Sequence, residues 1–122
     1  QDSTFLYTTP MSCIGFWLAL EDANIENGCL QAITGGHSIP LKKRFKLAAN
    51  GGTEFEILDD SPWPNQSLDL LEVKAGTLIV LHGQLPHYSA ANTSNRSRQA
   101  FSLHLVDQNC QYAEDNWLQS LI

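Results

Sequence analysis

Short apolar runs divided by turn signals set the pattern of this chain. Ile14-Gly15-Phe16-Trp17-Leu18-Ala19-Leu20 is apolar at successive positions, which predicts a central strand covered on both faces. Polar residues follow from Glu21 to Gly28 and end in Asn27-Gly28, a strong turn signal, so Cys29-Leu30-Gln31-Ala32-Ile33 reads as the returning strand, closed by Gly35-Gly36. Further strands are predicted from Leu68 to Val73, from Thr77 to His82 and from Ala100 to Val106, with a turn at Lys74-Ala75-Gly76. Near the start, Thr4-Phe5-Leu6-Tyr7-Thr8 also reads as a strand. Over 37–67 the pattern weakens into long loops, with Glu54-Phe55-Glu56-Ile57-Leu58 as a short strand, and a loop region of that length suits a lid or binding surface. Asn116-Trp117-Leu118 is expected to dock on the body through its indole. Many short strands without a long amphipathic helix predict an all-β core, a sandwich or jelly roll, whose mouth can hold a metal between ligands from separate strands.

Composition narrows this picture. A chain of 122 residues fits one domain, and its net charge of -6 argues against a nucleic-acid partner. Lys42-Lys43-Arg44, the one basic cluster, is expected to be a solvated loop. Cys13, Cys29 and Cys110 lack a C-x-x-C spacing, which predicts free thiols and an intracellular, cytoplasmic setting instead of a disulfide framework or thiolate zinc site. No apolar run approaches ~18 residues, so no membrane partner is expected. Ser120-Leu121-Ile122 is not a peroxisomal address. Because the sequence opens on Gln1, directly before an apparent strand, residues 1–122 are expected to be the C-terminal part of a single domain whose N-terminal part lies upstream. Oligomeric state is not set by anything in the sequence.

Candidate chemistry concentrates between His87 and Arg98, which join two of the apolar runs. A neutral imidazole is the commonest metal ligand, and a guanidinium eleven positions later can clamp a carboxylate with parallel hydrogen bonds. Together they describe a site for an anionic organic ligand beside a metal. Asp2 offers a carboxylate from the far end of the chain. His82 competes with His87 but lies sixteen positions from Arg98; His82 and His104 are expected in packing or supporting roles, His37 in a turn, and Arg96 in solvent.

These residues resemble the phytanoyl-CoA dioxygenase family of iron- and 2-oxoglutarate-dependent oxygenases. The matching stretches run in order through nearly the whole chain: residues 1–8, Trp17, Glu21-Asp22-Ala23, Glu26-Asn27-Gly28-Cys29-Leu30, Gly35-Gly36-His37, His82-Gly83, Arg96-Ser97-Arg98-Gln99-Ala100 and Asn116-Trp117-Leu118-Gln119. Residues 42–64 match poorly, and Thr34 stands where the family often has proline. The resemblance implies a double-stranded β-helix, that is, a jelly roll. It also implies that Asp2 and His87 are two ligands of an iron-binding facial triad whose first histidine would stand just before Gln1. Arg98 is similar to the arginine that binds the far carboxylate of 2-oxoglutarate, with Ser89 as its helper and Trp17 lining the same pocket.

Two imidazoles and one carboxylate on one face of Fe(II) leave three positions open, the donor set of oxygen-activating non-haem iron. The implied function is hydroxylation of a small organic or acyl substrate with dioxygen, while 2-oxoglutarate is decarboxylated to succinate. Halogenase relatives lack the triad carboxylate that Asp2 supplies. The alternative class is a jelly-roll binding or scaffold domain that has lost turnover. Two protein ligands hold a divalent ion less tightly than three, and chain ends fray unless tied down, so the 122 residues alone are expected to be inactive.

Overall fold

The computed structural model describes residues 1–119, so Ser120-Leu121-Ile122 lies outside the described residues. Its strands are β1 (Thr8–Thr9), β2 (Ile14–Ala19), β3 (Leu30–Ala32), β4 (Lys43–Leu47), β5 (Thr53–Ile57), β6 (Asp69–Leu71), β7 (Leu78–His82), β8 (His87–Ser89), β9 (Ala100–Leu105) and β10 (Gln111–Tyr112). Two 3-10 turns, Asp2–Thr4 and Gly36–Ser38, are the described helical segments. The chain is therefore nearly all β, a jelly-roll sheet core as the strand pattern predicts, and among the described residues no helix is long and apolar enough to cross a membrane.

The doubly apolar run becomes the middle of a sheet. β2 pairs antiparallel with β7 on one side and β9 on the other, so that Gly15 lies opposite Leu81 and His104, and Trp17 opposite Ile79 and Ser102. Successive strand residues face opposite sides, which puts Gly15, Trp17 and Ala19 on the buried face with Leu81. A second sheet has β3 between β6 and β8, with Leu30 opposite Leu71 and Ser89, and Ala32 opposite His87. Trp17, Ala19, Cys29, Leu30 and Leu81 join the two sheets in one core. The connection between β2 and β3 turns where Asn-Gly predicts: Asn24 and Asn27 each accept the other's backbone N–H through their side-chain oxygens, at 3.0 and 2.7 Å. Cys13, Cys29 and Cys110 are all free thiols.

Two expectations fail and a third holds in part. Residues 4–7 are not a strand, which begins only at Thr8: the N–H groups of Phe5 and Leu6 return to the Asp2 carbonyl at 2.9 and 3.3 Å, so turn bonding consumes the donors a ladder would need. Lys42-Lys43-Arg44 is not a solvated loop, since Lys42 is only 8% exposed and β4 begins at Lys43. β4 forms a hairpin with β5, in which Phe45 and Phe55 are opposite, their ring centroids 4.9 Å apart, and Arg44 and Lys46 face Glu56 and Glu54. The C-terminal segment docks chiefly through Asn116, which is fully buried and whose amide bonds both the N–H and the carbonyl of Tyr7, at 3.2 and 2.8 Å; the expected indole contact is the lesser part, with Trp117 41% exposed and its ring centroid 6.0 Å from that of Phe45.

Candidate functional site

Asp2 is fixed by the turn that it begins. The N–H of the buried Ser3 donates to the Gly83 carbonyl at 2.9 Å, and the N–H of Gly83 donates to the Cys13 carbonyl at 2.8 Å. A Cβ on Gly83 would stand 2.3 Å from the Ser3 hydroxyl oxygen, so the close approach requires glycine. The Gln1 amide donates to the Pro40 carbonyl and accepts the Lys42 N–H, both at 3.1 Å. The expected fraying at Asp2 is thus absent, because side-chain and backbone bonds hold this end on both sides.

The Asp2 carboxylate lies between two imidazoles. Its Oδ1 is 3.4 Å from Nε2 of His87, and its Oδ2 is 3.2 Å from Nε2 of His104. Nδ1 of His87 stands 2.9 Å from the Leu85 carbonyl, which can only accept, so the neutral ring carries its proton on Nδ1 and presents a lone pair at Nε2. That lone pair faces a carboxylate oxygen. Two acceptors in opposition are reconciled by a cation between them, so the donor chemistry of Asp2 and His87 fits a divalent metal. Oδ2 of Asp2 is buried and makes no hydrogen bond. Among the described residues no group of three His, Cys, Asp or Glu side chains is arranged to hold a metal ion.

On the other side, Arg98 projects from the loop after β8. Its Nη2 donates to the Ser89 hydroxyl at 3.2 Å, its guanidinium carbon lies 5.4 Å from the Trp17 ring centroid, and its buried Nε has no acceptor. Among the described residues no carboxylate forms an ion pair with it. The loop is strapped by Glu21, whose two oxygens accept the Ser97 hydroxyl and the Gln99 N–H, both at 2.8 Å. Those bonds hold the Glu21 carboxyl below the ordinary range.

Beside the carboxylate lies a cavity of about 110 Å³, with Asp2, His87 and His104 at its polar end and Trp17, Leu30 and Leu81 among its walls. Of the site residues expected from the sequence, Asp2, His87 and Trp17 line this space; Arg98 and Ser89 do not, and Arg98 is linked to it by the Trp17 ring. His82 is exposed and accepts the Gln84 N–H at Nδ1, outside this cluster. His104, expected from the sequence in a packing or supporting role, stands beside the Asp2 carboxylate. Its signal was the alternation in β9, where Ala100, Ser102 and His104 share one face and Phe101, Leu103 and Leu105 the other.

Comparison with known proteins agrees with this architecture. The family model described as phytanoyl-CoA dioxygenase (PhyH) matches residues 1–100. The chain belongs to that family. It is 46% identical over 123 residues to a phytanoyl-CoA dioxygenase of Arabidopsis thaliana, covering 98% of this chain and 42% of the relative. It is 49% identical over 126 residues to phytanoyl-CoA dioxygenase 1 of Oryza sativa subsp. japonica, covering 100% and 43%. The phytanoyl-CoA dioxygenase domain-containing protein 1 homolog of Dictyostelium discoideum is 42% identical over 125 residues, covering 98% and 44%. The chain thus spans less than half the length of these relatives.

Proposed function

We propose that the protein carrying this chain is an Fe(II)- and 2-oxoglutarate-dependent dioxygenase that hydroxylates a small organic or acyl substrate. The observation that carries this reading is the opposition of Asp2 Oδ1 and His87 Nε2 at 3.4 Å beside a cavity walled by Trp17, whose ring lies 5.4 Å from the guanidinium of Arg98, an arginine without an ion-pair partner among the described residues. Asp2 and His87 would hold the iron, and the family pattern asks for a third ligand, a histidine, two positions before Asp2. Bound there with 2-oxoglutarate, iron supplies the activation of dioxygen.

The chain's own residues bind and orient. Arg98 pairs with the far carboxylate of 2-oxoglutarate through charge-assisted bonds. Ser89 sets the plane of the guanidinium, and the Trp17 ring covers that part of the pocket. The Leu85 carbonyl keeps the His87 proton on Nδ1, away from the metal side. On the other side of His87 a groove of about 350 Å³, lined by Ile33, Trp63, Pro64, Leu68 and Tyr88, offers an apolar wall to a substrate. Its lining draws on the long loop region that reads as a binding surface in the sequence.

The test is succinate release from 2-oxoglutarate by the full-length, iron-loaded protein, in air and without oxygen. Slow oxygen-dependent release is expected even without the prime substrate. A folded, iron-loaded protein that releases none would instead be a non-catalytic binding domain.

A further inference from the structure

We propose that His104 is a positioning residue for Asp2: as its Nε2–H tautomer it donates to Oδ2 and so leaves Oδ1 as the oxygen that Asp2 presents, with His87, to the metal. The inference rests on the iron reading above and assigns a role to a side chain outside the ligand set.

The geometry separates the two imidazoles. His87 has its Nδ1 committed to the Leu85 carbonyl, which makes its Nε2 an acceptor. Nδ1 of His104 enters no hydrogen bond among the described residues, so nothing opposes a proton on its Nε2. Oδ2 of Asp2, 3.2 Å from that nitrogen, is buried and lacks a hydrogen bond. A buried carboxylate oxygen is costly to leave unpaired, and an imidazole N–H is the group beside it that can satisfy it.

The sheet builds the seat. Gly15 and His104 are register partners on β2 and β9, and a Cβ on Gly15 would lie 2.8 Å from Oδ2 and 3.4 Å from Nε2 of His104. Glycine therefore opens the space into which the carboxylate reaches, and His104 stands at its side. The two imidazoles address different oxygens of Asp2, which places His104 behind the carboxylate and leaves the ligand role to His87.

The test uses the full-length protein with Co(II) as the probe, comparing wild type, His104→Ala and His104→Gln. Affinity is measured by competition with a chelator, and coordination by the visible d–d absorption bands. Loss of a partner that orients a metal ligand weakens affinity about 10- to 100-fold, and that loss with shifted bands is expected for His104→Ala. His104→Gln, which keeps an N–H donor of similar reach, should return both toward wild type. Wild-type affinity and bands in His104→Ala would overturn the assignment, as would a folded His104→Gln protein as weak as the alanine variant. Should the alanine variant not fold, the glutamine variant decides alone on the same readouts. A wild-type protein that takes up no Co(II) would remove the metal reading itself, an outcome distinct from the others.

Discussion

Two half-buried arginines, Arg44 and Arg98, show how one residue type takes two roles. Arg44 is paired with Asp115 and with Glu56, lies 4.3 Å from the Tyr7 ring centroid, and ties the hairpin to the C-terminal segment. That pairing also holds the Asp115 carboxyl below its ordinary range. Both leave a buried Nε without an acceptor, but Arg98 has only a serine hydroxyl and an aromatic face, and no carboxylate among the described residues pairs with it. Replacing Arg98 with alanine should therefore weaken 2-oxoglutarate binding while metal affinity stays unchanged. A hydrogen bond to a charged group contributes about 1.5–3 kcal/mol, so the loss should be roughly 10- to 100-fold, read by titrating the metal-to-ligand absorbance band. Unchanged affinity would mean that another residue clamps the carboxylate. Lysine should rescue poorly, because a point charge lacks the planar fork. The His87-to-Arg98 spacing was legible in the sequence because both residues flank one connection between strands. The partner of His104, a residue expected only in a packing or supporting role, was not, since it depends on register: only pairing β9 with β2 brings His104 opposite Gly15 and beside a carboxylate from the far end of the chain.

Elements were legible where hydrophobic period and turn chemistry agreed. β2, β3 and β7 lie within their predicted runs, because Asn-Gly and Lys-Ala-Gly punctuate apolar stretches. β4 was hidden: Lys42-Lys43-Arg44 reads as a solvated charge cluster until the hairpin glutamate Glu56 and Asp115 supply partners to Arg44 and Lys46. The start of the chain was misread for the opposite reason, as β-prone residues there are overridden by bonds to Asp2 and Gly83. The same loop region holds an ionic latch with a pH signature. The Lys42 ammonium lies 2.7 Å from an Asp59 oxygen and donates to the Ser61 hydroxyl at 2.6 Å, 5.5 Å from the centroid of the Trp63 ring. Lys42 and Ser61 lower the Asp59 carboxyl from its ordinary 3.8 to about 2. A depressed carboxyl contributes its stability above the unfolded value and loses it as pH falls through the folded one, here from 3.8 down to about 2. Acidification through that window should release the segment around Trp63, seen as a change in its fluorescence against a Trp63→Phe control. Asp59→Asn should remove the dependence in that window, and an unaltered acid profile in this variant would assign it to another group.

For the whole molecule, the two faces of the β7-β2-β9 sheet carry different burdens. The inward face bears Gly15, Trp17, Leu81, Ser102 and His104, and so contributes much of the cavity lining. The outward face bears Ile14, Leu78, Val80, Phe101, Leu103 and Leu105, each between 40% and 56% exposed. The unbroken run in β2 predicts cover on both faces, whereas this face stands half-exposed here. Contiguous apolar patches of this kind attract other apolar surfaces. The 122-residue chain prepared by itself should therefore bind an apolar fluorescent dye such as anilinonaphthalene sulfonate while retaining its β-sheet circular dichroism. Val80→Thr with Leu103→Thr should cut that dye signal, because threonine is β-branched and suits a strand while it replaces apolar surface with a hydroxyl. Both substitutions lie on the far side of the sheet from Trp17 and His104, so the cavity lining should be untouched. A dye signal that survives the double substitution would locate the binding elsewhere, with the groove beside Trp63 and Tyr88 as the next place to substitute.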